Sequence, residues 1–354
     1  MTAAGPTRVA VVGYGLAGAV FHAPLIDAEE GLTVAAIVTR DPGRSAAARA
    51  RYPGAAVVAD ADAVWRMADR LDVAVIATPN RTHVPLGLAA LEAGLDVVVD
   101  KPLAASAADA RRLIEAARGR ERLLTVFHNR RWDGDFLTLR RLVAEGELGD
   151  VFRLESRFER WRPIPKPGWR QAPAPAEAGG LLFDLGPHLI DQALQLLGPV
   201  RHVHAELDRR RPGAVVDDDV FLALTHESGA RSHLWMNGIA ARPGPRFRVL
   251  GSRAAWVREG LDVQESQLRA GTDPRSPGFG VEPPAQWGQL EDGEGSRPAP
   301  AEPGAWVAFY AGLRRAVRDG APPPVDPADA VAGLEIIEAA RRQAEGGPAS
   351  AGPP

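Results

Sequence analysis

The sequence predicts an α/β protein with two domains: an N-terminal doubly wound parallel sheet, and a C-terminal α+β domain with a large, mostly antiparallel open sheet. Short β-branched apolar runs alternate with helical patterns through the first third of the chain, which is typical of parallel strands covered on both faces. From about residue 149, alternation of apolar and polar residues indicates antiparallel strands. The 354 residues are enough for two buried cores.

The composition excludes several classes of function. Charged residues make up 25% of the chain and the formal net charge is −3, so we expect no binding to nucleic acid or to a membrane surface. The chain has no cysteine, and its eight histidines lack the spacing of metal ligands, so we expect no metal site. No apolar run approaches the ~20 residues of a membrane span and no leader precedes the first strand, so we expect a cytoplasmic protein.

The first strand meets a glycine-rich turn in the stretch VAVVGYGLAGAVFHAP, residues 9–24. Gly13 allows the tight turn, Gly15 lets the backbone approach a pyrophosphate, and Gly18 lets the helix pack closely on the strand. The helix start, with Leu16 in the loop before it, offers unpaired N–H groups and the positive end of a helix dipole to phosphates. Because this pattern follows a strand and opens a helix, it predicts a Rossmann dinucleotide-binding domain rather than an ordinary glycine turn.

The end of the next predicted strand, Thr33–Val38, is where this fold selects its cofactor. An acidic side chain there would bind the adenosine ribose of NAD and repel a 2′-phosphate. The sequence instead has Thr39, Arg40 and Arg44, and a hydroxyl and guanidinium groups can hold a phosphate. We therefore predict NADP as the cofactor. The alternative is NAD, with Asp41 on the ribose and Arg40 as a solvated loop charge.

Two more strands, near Ala56–Val58 and at Asp72–Ala77, flank a helix over residues 60–68. In an open parallel sheet, ligands lie beyond the carboxyl ends of the strands, so the turn at residues 78–83 faces the same crevice as the glycine turn. Its candidate cofactor contacts are Thr78, Pro79, Asn80 and His83. The alternative is that Asn80 or Thr82 caps the following helix and that His83 is a surface or packing residue.

The strand Asp96–Val99 ends in Asp100-Lys101-Pro102. A lysine that a parallel strand delivers into the crevice is costly to desolvate, which indicates a function. Lys101 can hydrogen-bond a substrate hydroxyl, stabilise negative charge on its oxygen and ease proton removal. It is therefore a candidate catalytic and cofactor-contact residue, and Pro102 is a second cofactor contact that fixes the backbone beside it. The alternative is a surface lysine.

The sixth strand, Leu123–Phe127, leads into a polar and aromatic segment at residues 128–133. An aromatic face can stack on ring C–H groups while charged and amide groups bind hydroxyls, so the candidate substrate contacts are Asn129, Arg130, Trp132 and Asp133. Arg130 and Arg131 can equally form structural ion pairs or lie at the domain junction. We place the domain boundary here, with a cofactor-binding domain over 1–127 and a substrate-binding and oligomerisation domain over 128–354, whose final helices can pack back near the domain junction.

A second motif, GGLLFDLGPHLID, occupies residues 179–191. Pro187 suits the first position of a helix with Gly186 as its cap, which would put His188 in the first helical turn. There the helix dipole would keep the ring neutral and able to accept a proton. One carboxylate can orient the imidazole while another binds a substrate hydroxyl; the candidates are Asp184, before the helix, and Asp191, on its face. The alternative is that His188 merely caps a buried helix.

The rest of the second domain is predicted to form antiparallel strands followed by two closing helices. The strands are predicted at Val151–Trp161, Val200–Asp208, Asp219–Thr225, Arg231–Trp235, Arg246–Leu250 and Ala254–Val257. We expect the Pro- and Trp-rich loop Trp161–Pro175 to cover the active site and Gly271–Gly304 to be a mobile excursion. The closing helices are predicted at Ala305–Arg318 and Pro327–Gln343, and residues 344–354 are expected to fray.

Together these motifs resemble the Gfo/Idh/MocA oxidoreductase family over nearly the whole chain. The matching motifs are G-x-G-x-x-G at residues 13–18, ATPN at 77–80, DKP at 100–102 and GG-x-x-x-D-x-G-x-H-x-x-D at 179–191. The family usually has Glu-Lys-Pro, so Asp100 is a departure that keeps the charge and shortens the reach. With YG-x-x-G-x-x-FH-x-P at 14–24 and FHNRRWD at 127–133, the chain looks closest to the NADP-dependent scyllo-inositol dehydrogenase branch.

The resemblance implies transfer of a hydride between NADP and a hydroxyl or ketone of a cyclitol or sugar, with scyllo-inositol and its inosose as the expected pair. It assigns His188 as acid/base and Asp184 as its substrate-side partner, with Lys101 assisting. It also implies a homo-oligomer, a dimer or tetramer, built on a free sheet face. Two alternatives are a redox-neutral glycoside-cleaving enzyme that retains its nicotinamide and a non-catalytic NADP-sensing protein.

Overall fold

The structure is a computed structural model that describes residues 5–165, 168–172, 174 and 177–345. The chain forms two compact units. The first contains Met1–Trp132, Val263–Gly280 and Gly304–Val331, and the second contains Asp133–Asp262, Val281–Pro303 and Ala332–Pro354. Each unit therefore collects segments that are far apart in sequence.

Strands and helices alternate in the first third of the chain and separate afterwards. The strands are β1 Thr7–Val12, β2 Leu32–Val38, β3 Ala56–Val58, β4 Val73–Ile76, β5 Asp96–Asp100, β6 Leu124–Phe127, β7 Val151–Glu159, β8 Val200–Asp208, β9 Asp219–His226, β10 Arg231–Asn237, β11 Phe247–Gly251, β12 Ala255–Arg258, β13 Gln289–Glu291 and β14 Ser296–Pro298. The helices are α1 Ala23–Ala28, α2 Pro42–Arg51, α3 Ala61–Trp65, α4 His83–Glu92, α5 Ala107–Arg118, α6 Gly134–Ala144, α7 Leu181–Leu197, α8 Gln264–Arg269, α9 Val307–Asp319 and α10 Pro327–Glu345. Among the described residues, no helix combines the length and the apolar character that crossing a membrane requires.

The first unit is built on a six-stranded parallel sheet in the order β3-β2-β1-β4-β5-β6. The side chains of β1, β4 and β5 are almost all buried, which explains why these runs are continuously apolar rather than alternating. The order reverses between β1 and β4, and in such sheets ligands bind beyond the carboxyl ends of the strands at that point. The predicted doubly wound parallel sheet is confirmed.

Side-chain caps begin three helices of this unit. Asp41, Asp60 and Ser106 each accept the backbone N–H three residues later, at 2.8–3.1 Å. Helix α4 differs, because Thr82 precedes it without capping it. The Thr82 hydroxyl instead lies 2.7 Å from both Thr78 Oγ1 and the Pro79 carbonyl oxygen. The Thr82 hydroxyl therefore stabilises the turn after β4 rather than the start of α4.

The second unit is built on an eight-stranded sheet in the order β14-β13-β12-β11-β7-β10-β9-β8. Only β7 and β10 pair in parallel, and the other neighbours are antiparallel. Helix α7 packs on β7, β9 and β10, and the inward-facing residues of β9 and β10 alternate with outward ones. The predicted open, mostly antiparallel sheet is confirmed.

Helix α7 begins at Leu181, six residues earlier than the sequence predicts. Gly180 precedes it with φ of +95°, and the Asp217 carboxylate accepts the Leu182 N–H at 2.7 Å. The cap therefore comes from a residue 35 positions later, which no local pattern reveals. Pro187 lies inside the helix, and a Cβ on Gly186 would stand 3.3 Å from a Leu182 methyl, so this glycine serves packing rather than capping.

The predicted excursion Gly271–Gly304 contains a β-hairpin that extends the second sheet. Strands β13 and β14 pair antiparallel, and β13 also pairs with β12. The turn between them is closed by Asp292, whose Oδ1 accepts the N–H groups of Glu294 and Gly295 at 2.8 and 3.0 Å. An aspartate at the first position of a glycine-containing turn is the signal that the sequence analysis missed.

Candidate active site

The turn after β1 has the shape that a dinucleotide pyrophosphate requires. Gly13 has φ of +101°, and a Cβ there would lie 2.5 Å from the Ala77 carbonyl oxygen, while a Cβ on Gly18 would collide with the Gly13 carbonyl oxygen. Both positions therefore require glycine. At Gly15 a Cβ would meet only Nη1 of Arg44, at 4.0 Å, so the turn is open on that side. The residues present fit a bound pyrophosphate.

The helix that follows this turn is widened. Residues Ala17–His22 form a π-helical segment, and Ala23 donates its N–H to the carbonyl of Gly18, five residues back. Leu16, just before it, is exposed, whereas His22 at its end is fully buried. Such segments are frequent at functional sites, and this one ends with a histidine inside the first unit.

At the carboxyl end of β2, Arg40 and Arg44 are exposed, and in the described part of the chain neither forms an ion pair. Thr39 is partly exposed beside them. Asp41 has a different task, because its Oδ1 accepts the Arg44 N–H at 2.8 Å and so caps α2. This end of the sheet carries two guanidinium groups, a hydroxyl and the Asp41 carboxylate, one oxygen of which caps α2.

His83 ties the turn after β4 to the turn after β5. Its Nδ1 lies 2.7 Å from the Pro102 carbonyl oxygen and its Nε2 lies 2.9 Å from the Thr78 carbonyl oxygen. Burial lowers the pKa of this imidazole, although Asp100 and the two carbonyls act to raise it. A neutral imidazole has one N–H, so His83 donates to one of these two carbonyl oxygens while its other ring nitrogen lies beside the second, and the ring thereby holds the turns at Thr78 and Pro102 together. These contacts are typical of a packing residue, and the predicted contact of His83 with the cofactor stays a prediction.

Lys101 follows β5 and is held at its backbone. Asp100 Oδ1 accepts the Lys101 N–H at 2.8 Å, and the Lys101–Pro102 peptide bond is cis. Lys101 is one of two lysines in the chain, the other being Lys166, whereas every other basic side chain apart from histidine is arginine. Unlike a guanidinium, an ammonium group can lose its proton when its surroundings favour it. A lysine in an arginine-rich chain is a second signal for function.

The buried His22 makes stability depend on pH. Burial lowers the pKa of its imidazole to about 4, against the effect of Asp100, which acts to raise it. In the unfolded chain the ring titrates near 6.5, so between pH 6.5 and 4 the unfolded state binds the extra proton and stability falls as pH falls. The loss is fully developed below pH 4 and amounts to about 3 kcal/mol.

We expect urea unfolding at pH 7.5, 6 and 5 to show this slope and the variant His22→Gln to show a shallower one. His202 is exposed, so His202→Gln serves as the control and should keep the wild-type slope. An unchanged slope in His22→Gln would contradict the assignment.

The segment after β6 forms a helical turn, Asn129–Trp132, with two ion pairs. Arg130 Nη2 lies 2.8 Å from Glu265, and Arg131 Nη2 lies 2.7 Å from Asp329. Both arginines thus form structural ion pairs, as one of the two interpretations of these residues expects. Of the other candidate substrate contacts, Asn129 and Asp133 are buried and Trp132 is partly exposed.

In the second unit, α7 carries Asp184, His188 and Asp191 at spacings of four and three residues, which puts them on one helix face. His188 is 7% exposed and Asp191 is 4% exposed. Because α7 starts at Leu181, His188 lies about two turns inside the helix. The predicted dipole effect on its ring is therefore wrong, since that effect fades within the first turn. Asp184 lies in the first turn of the helix, not before it.

Two arginines converge on Asp184. Arg170 Nε lies 3.1 Å from Oδ1 and Arg160 Nη2 lies 3.4 Å from Oδ2. Arg170 belongs to a helical turn, Trp169–Gln171, and its carbonyl accepts the Gly180 N–H at 3.0 Å. Residues 168–172 of the predicted covering loop are thus fastened to the start of α7, whereas residues 166, 167, 173 and 175 lie outside the described residues. Neither arginine could be predicted from the sequence as a partner of Asp184, because they lie 24 and 14 positions from it along the chain.

A buried guanidinium supports the ring of His188. The Phe158 ring meets His188 edge-on, with centroids 6.3 Å apart, and the Arg246 guanidinium lies 4.2 Å from the Phe158 centroid. Arg246 also donates to Gln192 Oε1 at 2.7 Å, one turn beyond His188 on α7. The described residues contain no cluster of three or more potential metal ligands.

Comparison with known proteins decides the family. Residues 7–128 match the model of the oxidoreductase family with an NAD-binding Rossmann fold, GFO/IDH/MocA, and residues 136–257 match the GFO/IDH/MocA C-terminal domain. This chain belongs to the Gfo/Idh/MocA oxidoreductases. The resemblance of the motifs is thereby confirmed, and the protein is an oxidoreductase with a nicotinamide dinucleotide-binding domain.

Full-length relatives include both characterised and uncharacterised oxidoreductases. The uncharacterized oxidoreductase YdgJ of Escherichia coli is 39% identical, with 94% of each chain covered. The scyllo-inositol 2-dehydrogenase (NADP(+)) IolW of Bacillus subtilis is 33% identical, with 94% of this chain and 92% of the relative covered. The structure of the putative oxidoreductase yvaA from Bacillus subtilis has a TM-score of 0.91 at 32% identity, with 97% of each chain covered.

Proposed function

We propose that this Gfo/Idh/MocA oxidoreductase is an NADP-dependent dehydrogenase of cyclitols or sugars, with scyllo-inositol and its inosose as the first substrate pair to test. The observation that carries the proposal is Lys101 directly after β5, at the carboxyl edge of the parallel sheet, which is the edge where this fold binds its dinucleotide. The full-length similarity to IolW supports the substrate class. A cytoplasmic location belongs to the same proposal.

The proposed chemistry uses three residues, Lys101, His188 and Asp184. When bound, the nicotinamide supplies the acceptor for the hydride that leaves the alcohol carbon. Lys101 donates a hydrogen bond to the alcohol oxygen and stabilises its developing negative charge. His188 accepts the hydroxyl proton at a ring nitrogen, and Asp184, held by Arg160 and Arg170, binds and orients the reacting end of the substrate. The same groups act in reverse when the ketone is reduced.

For the remaining contacts we propose that the polyol meets the segment after β6. Asn129, Trp132 and Asp133 would supply amide, aromatic and carboxylate groups to it. Arg130 would act from its ion pair with Glu265, which fixes the segment. The cofactor side comprises Gly13, Gly15, Leu16, Gly18, Thr78, Pro79, Asn80, Lys101 and Pro102, with His83 holding two of these turns together.

The preference for NADP is supported by the residues at the end of β2. Asp41 uses Oδ1 to cap α2, while Arg40 and Arg44 offer charge-assisted bonds to a phosphate. We expect the double variant Arg40→Ala/Arg44→Ala to weaken NADPH binding about 10- to 100-fold and to change NADH binding less than about threefold. Fluorescence titration of the reduced cofactors measures both.

Arg49→Ala is the matched control, because Arg49 lies on the same helix but donates to Ser45 Oγ and to the Val57 carbonyl. Equal losses for NADPH and NADH in the double variant would assign the arginines to the shared pyrophosphate instead. No loss for either would remove them from the cofactor site.

The first test of the function is the change in absorbance of the nicotinamide with scyllo-inositol, other inositols and aldoses, each with NADP and NAD. Turnover of scyllo-inositol with NADP supports the full proposal. Turnover of another polyol keeps the chemistry and rejects the substrate. If cofactor binds and no polyol reacts, glycoside cleavage without net cofactor turnover is assayed next.

We also propose that the chain forms a dimer or tetramer through the sheet face opposite α7. Phe221 and Trp235 lie on that face with ring centroids 5.1 Å apart. The Arg157 guanidinium lies 3.9 Å from the Trp235 centroid. A face that combines aromatic rings with arginine has the composition of protein interfaces.

A further inference from the structure

A buried polar chain lies behind Lys101 in the first unit, and the proposed chemistry does not use it. The Tyr310 hydroxyl on α9 lies 2.6 Å from Nδ1 of His22. On the other side of the same ring, Nε2 points toward Asp100 Oδ1, 4.0 Å away. Tyr310 and His22 are completely buried, and Asp100 is the residue that accepts the Lys101 N–H. Tyr310, His22 and Asp100 thus form a chain of polar side chains that ends at the backbone N–H of Lys101.

The hydroxyl of Tyr310 determines which ring nitrogen of His22 carries the proton. Burial, with the nearby Asp100 carboxylate, holds the pKa of Tyr310 well above its ordinary value, so the hydroxyl keeps its proton. A buried O–H needs an acceptor, and among the described residues His22 Nδ1 is the atom within hydrogen-bond distance. The neutral ring therefore accepts at Nδ1 and carries its proton at Nε2.

This tautomer directs an N–H at the carboxylate of Asp100. Nε2 of His22 has no hydrogen-bond partner in the described part of the chain, and 4.0 Å is too long for a direct bond. The distance allows one bridging water or a small movement of the carboxylate. A phenylalanine would fill the same apolar surroundings beside Phe127, 4.4 Å between centroids, without burying a polar atom. Burying the His22 imidazole therefore costs free energy that a phenylalanine would not, which indicates that the ring has a function.

We propose that His22, oriented by Tyr310, is a positioning residue that holds the Asp100 carboxylate and through it the backbone of Lys101. The inference rests on the proposed role of Lys101. The Lys101 N–H and the His22 N–H then face the same carboxylate oxygen, Asp100 Oδ1, at 2.8 Å and 4.0 Å, and together they restrict the rotation of Asp100. Because Lys101 must meet the reacting oxygen within a few tenths of an ångström, loosening Asp100 costs rate. The proposal gives a role to His22 of the motif at residues 14–24.

The tautomer is tested without any assay of activity. In the full-length protein labelled with ¹⁵N-histidine, eight rings are observed, and His22 is assigned by the signal lost in His22→Gln. At pH 7.5 we expect the Nε2–H tautomer in the wild type. In Tyr310→Phe we expect the Nδ1 and Nε2 shifts of this ring to move toward each other as the two tautomers mix. An Nδ1–H tautomer in the wild type, or an unchanged ring in Tyr310→Phe, overturns the inference.

Kinetics test the link to Lys101. We expect Tyr310→Phe to lower kcat about 10-fold, with KM and the Kd of NADPH changed less than about twofold. The control is Thr125→Val, which removes another buried hydroxyl of the first unit, one that donates to the Val325 carbonyl at 2.8 Å. It should lose stability but keep kcat. If Tyr310→Phe keeps kcat as the control does, His22 is structural only.

The two proposals fail in different ways. If Lys101→Ala keeps its turnover, the proposed function is wrong even when the His22 ring is the Nε2–H tautomer. If Lys101→Ala is inactive and Tyr310→Phe has wild-type kcat, the proposed function stands and the positioning role is wrong. Only a low kcat in both variants, together with the ring shift, supports the full inference.

Discussion

Replacement of Lys101 by alanine is expected to lower kcat by about 10²- to 10³-fold and to change the Kd of NADPH little. The expectation follows from the role of the ammonium group, which donates to an oxygen that gains negative charge as the hydride leaves; such assistance is worth about 10²–10⁴ in rate. In the proposed cofactor site the contacts come mainly from the glycine turn and from the arginines after β2, and the substitution changes neither. Stopped-flow measurement of nicotinamide reduction, with fluorescence titration of NADPH, separates the two quantities.

The chain offers a sharp comparison for this variant. Lys101→Arg keeps a positive charge but replaces an ammonium group with a guanidinium that stays protonated. If proton release by Lys101 contributes, the arginine variant falls nearly as far as the alanine variant. If Lys101→Arg keeps most of the wild-type kcat, Lys101 acts through its positive charge alone. Wild-type turnover in Lys101→Ala would remove Lys101 from the site.

Replacement of His188 by alanine is expected to lower kcat by about 10²- to 10⁴-fold, because the hydroxyl proton loses its acceptor. NADPH binding should persist, since the glycine turn belongs to the first unit and His188 to the second. Added imidazole should restore part of the rate in His188→Ala if the missing group is a base. The pre-steady-state rate of nicotinamide reduction, with and without imidazole, provides the measurement.

His226 provides the matched control for His188. It is a buried histidine of the same unit, with Nδ1 2.7 Å from the Gly198 carbonyl oxygen and Nε2 2.7 Å from Ser232 Oγ. His226→Asn should lower stability and keep kcat. Equal losses of kcat in both variants would show that the α7 region is merely destabilised, and would contradict a base at His188.

The sequence predicts those parts of the site that depend on neighbours along the chain. The turn after β1 follows from glycines within six positions of one another, and Lys101 follows from its place at the end of a short apolar run. In both cases backbone geometry and strand direction fix the side chain, so local pattern is sufficient. The parallel sheet and its carboxyl-end crevice follow for the same reason.

Contacts between distant residues could not be predicted. The start of α7 depends on a carboxylate 35 positions later, and the partner of His22 lies 288 positions away. The local sequence predicts a helix start at Pro187, because a proline preceded by a glycine is typical of a first helical residue and its cap. In the structure Asp217 supplies the cap, and the helix begins earlier, at Leu181. Pairing across the fold, rather than propensity, decides these positions.

The arrangement of the first unit has a consequence for how the protein is made. Its parallel sheet is finished by Phe127, yet Tyr310 and the segment around Val325, which accepts from Thr125, are synthesised almost two hundred residues later. The nascent sheet therefore exposes the apolar surface that these residues cover until the ribosome has made residues 128–325, most of which belong to the second unit. Contacts this far apart in sequence are slow to form and expose the chain to aggregation. We expect a gene truncated after residue 127 to yield a chaperone-dependent, aggregation-prone fragment rather than a free-standing nucleotide-binding module.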